Sequence, residues 1–134
     1  VKDLDFGYHQ IYVRDTNGNK DRRTIFPETL VHPLQRQLLR SKQQHEFDLE
    51  KGFGEVYLPH ALERKYPYAF REWIWQYVFP SSRITTNPRS GQKRRHHITK
   101  DAIRKSLRTA VKLTRIPKRV TPHTFRHSFA THLL

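Results

Sequence analysis

The final stretch, TPHTFRHSFATHLL from Thr121 to Leu134, constrains the fold more than any other part of the chain. Thr121-Pro122 is a helix-start signal, a capping hydroxyl followed by a residue whose fixed φ suits the first helical position. Phe125, Phe129 and Leu133 then recur at i, i+4 and i+8, so one face is committed to an apolar core up to the end of the sequence. Natural domain ends fray into polar residues. The chain therefore reads as a fragment, and the lack of methionine, even at position 1, agrees.

Upstream, Gln10–Arg14 and Arg22–Phe26 are short β-branched and aromatic runs flanking DTNGNKD, whose Asn17-Gly18 favours a tight turn. They predict a β-hairpin. Pro27-Glu28-Thr29 opens a helical pattern with Leu30, Leu34, Leu38 and Leu39 on one face, running to about Phe47. From there Gly52, Gly54, Pro59 and Pro67 punctuate aromatic residues, which fits a loop carrying short helices. Glu72–Phe79 reads equally as a helical turn or an extended run, and Ser81–Gly91 reads as loop from its Ser, Thr, Asn, Pro and Gly content. Thr99 is an expected N-cap, followed by an apolar stripe of Ile103, Leu107, Ala110 and Val111 and a helix end near Ile116-Pro117. The outward face of that helix carries Arg104, Lys105, Arg108, Lys112 and Arg115.

At 134 residues the chain has the length of one domain. Without cysteine it has neither disulfides nor thiolate metal sites. No apolar run approaches the roughly 20 residues that span a bilayer, and VKDLDFGYHQ lacks the character of a signal peptide, so the expected setting is cytosolic or nuclear. A net charge of +14 calls for a polyanionic partner, and 13 of the 26 Lys and Arg residues fall between Arg83 and Arg119 against one acid, Asp101. That clustering is an electrostatic footprint for phosphate binding. A merely solubilising face does not require one sign.

His123 and Arg126, three apart at a helix start, can hold a phosphate between an imidazole and a fork of guanidinium donors. By spacing alone they are equally two exposed surface residues. The string around them, HTFRHSFATHLL, closely resembles the H-x-x-R box of the tyrosine recombinases, and VKDLDF resembles the stretch after that family's first catalytic arginine. The resemblance implies that His123 and Arg126 contact a scissile phosphate. It also implies that the first arginine lies before Val1, and that the later histidine or tryptophan and the nucleophilic tyrosine lie beyond Leu134. In the family hairpin a lysine supplies a catalytic ammonium where this chain has Asn17. Asparagine cannot protonate a leaving oxygen, so either Lys20 reaches in from the same turn or activity is impaired, and the reading of Lys20 as a solvated turn residue comes ahead of a catalytic one.

GFGEVYLPHALERKYPYAFREWIWQYVFPSS and PRSGQKRRHHIT resemble the insertion and following strip of integron integrases, with the insertion at about 48–82. That likeness implies recognition of folded single-stranded cassette sites with protruding bases. Trp75 is then a candidate for stacking on an unpaired base and equally for core packing, while Trp73 reads as core. Arg94, Arg95 and Arg104 are candidate phosphate contacts, and His96 and His97 match a histidine pair near such a base in the subfamily. A metal site at adjacent histidines with no carboxylate nearby is not expected.

The expectation is thus a mainly α fold with a small antiparallel β-hairpin or sheet, 1–134 being one partial tyrosine recombinase catalytic domain truncated at both ends. The resemblance implies strand transfer on single-stranded folded and double-stranded sites, without cofactor, in the bacterial cytoplasm and away from membranes, as a tetramer on DNA when full length. A noncatalytic basic DNA-binding module is the rival reading. A basic scaffold for acidic proteins explains neither the H-x-x-R box nor the insertion.

Overall fold

The computed structural model describes residues 1–16, 20–88 and 91–133. Their contacts form two units, Val1–His97 and Ile98–Leu134. Among the described residues no helix is long and apolar enough to cross a membrane.

In the first unit β1 (Leu4–Asp5), β2 (Gln10–Thr16) and β3 (Lys20–Ile25) make an antiparallel sheet in the order β1-β2-β3. The expected hairpin is β2–β3, with Tyr12 opposite Arg23 and Thr16 opposite Lys20, and a register irregularity between Val13 and Thr16. Asn17-Gly18 lies outside the described residues. The sequence reading missed β1, which is two residues long and too short to show periodicity. Phe26 anchors the end of the sheet: it is buried, its N–H donates to the His9 carbonyl at 2.9 Å, and Phe6 meets its ring edge-on at 5.8 Å.

A single 3-10 turn (Glu28–Leu30) leads into α1 (Val31–Glu50), which contains Pro33 in its first turn, where a missing N–H costs nothing. The helix ends on Gly52, at φ 79°, with the Phe53 N–H on the Asp48 carbonyl at 2.7 Å and the Gly52 N–H on the Leu49 carbonyl at 3.1 Å. This is the paired C-terminal bonding that a left-handed glycine permits. Gly54 is buried two residues on, so close to α1 that a Cβ there would lie 2.8 Å from the Leu49 backbone nitrogen.

The segment after α1 is a loop carrying short helices, as expected: α2 (His60–Lys65) and 3-10 turns at Ala69–Arg71 and Trp73–Trp75. The second turn resolves the ambiguity of Glu72–Phe79 in favour of a helical turn at Trp73–Trp75 followed by irregular chain. Val56, Leu58 and Ala69 are buried together, with Leu62, Phe70, Trp75 and Tyr77 packed against them. The hydrophobic cluster of this unit is therefore built by the irregular segment.

Residues 81–91, expected to be loop, contain β4 (Pro80–Thr86), which pairs antiparallel with β5 (Lys93–His97). Ile84, Thr85 and Thr86 oppose Arg95, Arg94 and Lys93. Serine and threonine are common in turns, but threonine's branched Cβ fits a pleated surface equally well.

In the second unit α3 (Lys100–Leu113) starts as expected, Thr99 Oγ1 accepting the Ala102 N–H at 3.2 Å. It stops short of Ile116-Pro117, because Arg115 takes a left-handed φ of 53° and its N–H closes onto the Lys112 carbonyl. α4 (Pro122–Leu133) begins at the predicted signal. Thr121 and Thr124 cap each other reciprocally, the Thr121 N–H donating to Thr124 Oγ1 at 3.1 Å and the Thr124 N–H to Thr121 Oγ1 at 3.4 Å.

Candidate nucleic-acid interface

The face that α1 turns inward is polar. Gln37, Ser41, His45 and Asp48 follow one another at helical spacing, and Ser41, His45 and Asp48 are buried. The expected leucine stripe is not the buried one: Leu39 is exposed, and Leu34 and Leu38 are half-buried. The physical reason lies in the chain packed against the helix. An irregular segment has carbonyls with no ladder partner, and buried carbonyls must find donors. Ser41 Oγ and Gln37 Nε2 both donate to the Val78 carbonyl, at 2.7 and 3.0 Å, and His45 Nε2 donates to the Arg71 carbonyl at 2.9 Å. Burial pushes the His45 pKa down, only partly offset by that carbonyl.

Arg95 completes the clasp. From β5 it forks onto the Asp48 carboxylate, with Nη2 on Oδ1 at 2.9 Å, and it donates through Nη1 to the Ser81 carbonyl at 2.8 Å. The two side chains are only 12% and 4% exposed. The bond to Asp48 holds the guanidinium yet more firmly protonated. Arg95, expected among the phosphate contacts, is placed by the fold as an internal tie between β5 and α1.

Its neighbours on β5 differ. Arg94 is half-buried with its guanidinium on the Gln92 side chain, and His96 is exposed. His97 sets its ring edge-on to Tyr77 at 5.3 Å, and burial pushes the Tyr77 phenol pKa up. Trp75 is half-buried against the Val56–Leu58–Ala69 cluster, with Lys2 Nζ 4.9 Å from its ring centre and the Tyr66 ring 6.0 Å away. Trp73 sits 5.9 Å from the His45 ring. Among the described side chains of residues 48–82, the most exposed aromatic ring is that of Tyr68, at 77%. Its signal in the sequence is Tyr66-Pro67-Tyr68, where the proline stiffens an aromatic pair. Only the backbone of Lys20 is described, so the reach of its ammonium is outside the described residues.

In the second unit His123 and Arg126 stand exposed, one turn apart at the start of α4, and among the described residues neither side chain makes a hydrogen bond. The mutual capping of Thr121 and Thr124 spends part of the helix-end donor capacity. His123 also rims a cleft of about 760 Å³ beside α3, lined by Arg104, Arg108 and Arg119 over Leu107 and Val120. Arg104 is in addition paired with Asp101 at 3.3 Å, both exposed. Arg108 and Arg119 were not singled out as site residues by sequence; their signals are the i, i+4 spacing of Arg104 and Arg108 and the Lys118-Arg119 pair just before the H-x-x-R box.

Comparison with known proteins adds a frame to this geometry. The chain is 46% identical over 134 residues to a protein named Integrase/recombinase from Escherichia coli, and to one of the same name from Pseudomonas aeruginosa. In each case the match takes in 100% of this chain and 40% of the relative. The chain thus spans well under half the length of these curated relatives. The profile of the phage integrase family matches residues 1–134. With that match running through the sheet, the clasp and the H-x-x-R helix alike, the chain belongs to the phage integrase family.

Proposed function

We propose that this chain is part of the catalytic domain of a DNA strand-transfer enzyme of the integron integrase kind, in which His123 and Arg126 hold the scissile phosphodiester. The observation that carries the reading is the exposed H-x-x-R pair on α4, one turn apart and uncommitted to other side chains among the described residues, inside a chain that matches the phage integrase family throughout. In the proposed reaction a tyrosine from another part of the protein attacks phosphorus. The new bond joins tyrosine oxygen to phosphorus, the bond to the 5′ oxygen breaks, and that oxygen takes up a proton. Negative charge builds on the nonbridging oxygens meanwhile, and two guanidinium N–H groups of Arg126 with one N–H of His123 are the donors suited to it. The proton donor is the open part of the machinery, since Asn17 cannot serve and Lys20 is the nearest ammonium in sequence.

The finer reading, that the substrates are folded single-stranded cassette sites and that the full-length protein works as a tetramer, rests on the likeness of residues 48–82 to the integron-type insertion. The exposed Tyr68 supports it as a platform that any unpaired base could stack on. In the full-length gene product, Arg126→Ala should lower covalent cleavage of a nicked recombination site by about 10²-fold or more, the weight of one lost oxyanion donor, while changing DNA affinity only a few-fold. Cleavage at the unaltered rate would remove Arg126 from the site. Tight DNA binding without any covalent adduct in the unaltered protein would identify a noncatalytic binding module.

A further inference from the structure

The cleft between α3 and the start of α4 gathers three arginines for which the strand-transfer chemistry above has no use. Arg104, Arg108 and Arg119 line it together with His123, over a floor that includes Leu107 and Val120, and no carboxylate is among its lining residues. Its volume of about 760 Å³ is that of a ligand pocket, which spans roughly 300–1,000 Å³. Three permanent positive charges around one cavity repel one another unless an anion sits between them. The apolar floor lowers the local dielectric and so strengthens both the repulsion and its relief. Arg104 and Arg108 are one helical turn apart, about 6 Å along the axis, and present two guanidinium forks in series. Forks in series suit consecutive phosphates of a chain better than one compact anion. The acid within reach, Asp101, accepts from Arg104 at 3.3 Å across an exposed pair that solvent weakens and that a phosphate can displace.

We infer that this cleft is a seat for backbone phosphates of the bound nucleic acid, gripped by Arg104, Arg108 and Arg119, with Asp101 an internal competitor that moderates its affinity. The inference rests on the nucleic-acid reading above. It adds Arg108 and Arg119 as binding residues beside the scissile-phosphate pair, and it makes the contact independent of base sequence.

The test uses the full-length gene product and a labelled single-stranded oligonucleotide, with affinity measured across a salt series. Each phosphate contact on a single strand contributes about 0.7 to the slope of log affinity against log salt. The triple variant Arg104→Gln, Arg108→Gln, Arg119→Gln should therefore lose about two units of slope. Arg36→Gln, which removes one charge from an exposed position on α1, should leave the slope unchanged. Asp101→Asn should tighten binding about threefold at low salt, the weight of one exposed ion pair. These arginines are exposed, so a circular dichroism melt should superimpose for all variants. An unchanged slope in the triple variant, or an Arg36→Gln loss as large per charge, overturns the seat. So does a triple variant that no longer binds inorganic pyrophosphate yet keeps its oligonucleotide slope, since the cleft would then take small free anions. If the unaltered protein binds no oligonucleotide at any salt, it is the nucleic-acid reading itself that fails.

Discussion

Asp48 is the residue on which the first unit turns. Its carboxylate is almost fully enclosed and meets a guanidinium from β5 and the Gln44 amide from its own helix, so removing it strands a half-buried charge. Breaking such a pair from one side costs about 3 kcal/mol or more, whereas replacing both partners by apolar groups is close to neutral. Asp48→Ala should lower the unfolding free energy by about that amount in urea titration, and the double variant Asp48→Leu, Arg95→Met should recover most of it. A mild effect of the single change would mean that the pair is solvated. His45, one turn before, makes the same region sensitive to acid. Its pKa in the fold lies below the ordinary 6.5, because burial disfavours the imidazolium. As pH falls below that ordinary value the unfolded chain takes a proton that the folded chain refuses, so stability is full above it and declines towards the folded pKa. The melting temperature should drop between about pH 7.5 and pH 5.5, and His45→Gln should flatten that part of the profile.

Among the elements, α1 departs most from its sequence pattern. In the sequence pattern the shared face is that of Leu30, Leu34, Leu38 and Leu39, and Gln37, Ser41, His45 and Asp48 are assigned no place in a core. The helix does the opposite because its partner is irregular chain, whose carbonyls at Arg71 and Val78 need donors more than they need apolar contact. Only the identity of the neighbour decides that. Local chemistry decided the helix ends instead: Thr99 caps α3, Thr121 and Thr124 cap α4, and Gly52 closes α1. Gly54 belongs to the other kind, since its need for a bare Cα comes from the approach of α1. A Cβ there would lie 2.5 Å from the Leu49 side chain and 2.8 Å from its backbone nitrogen, which cannot step aside. Gly54→Ala should destabilise by about 1–3 kcal/mol, the usual cost of overpacking. An unchanged denaturation midpoint would show that the segment after Gly52 can shift freely.

At the scale of the whole molecule, aromatic rings are spread through the chain while half of the basic residues fall between Arg83 and Arg119, and the fold sorts both by exposure. Arg95 is drawn inward while His96, His97, Arg104, His123 and Arg126 stay exposed. Trp75 is placed against the hydrophobic cluster of the first unit, so Trp75→Ala should lower the melting temperature and weaken binding to a hairpin with protruding bases and to its fully paired form alike. Tyr68→Ala should spare the melting temperature and weaken the hairpin alone, by roughly 1–3 kcal/mol if the ring stacks on a base. The reverse pattern, selective loss with Trp75 and none with Tyr68, would return the stacking role to the tryptophan.

What the sequence determined by itself is whatever depends on neighbours along the chain. Caps, the β2–β3 pairing, the short helices that follow α1 and the H-x-x-R spacing follow from local dihedral preference and helical period, and all were legible. The net charge, too, is independent of folding. The tertiary structure alone decided which polar residues are buried and which rings are free. Burial of Asp48 with Arg95 joins residues 47 apart, and β4 and β5 become a hairpin by pairing, although the serines and threonines of β4 read as loop. Those outcomes turn on which donor meets which orphaned carbonyl or carboxylate once the chain closes, a long-range matching that no local pattern encodes.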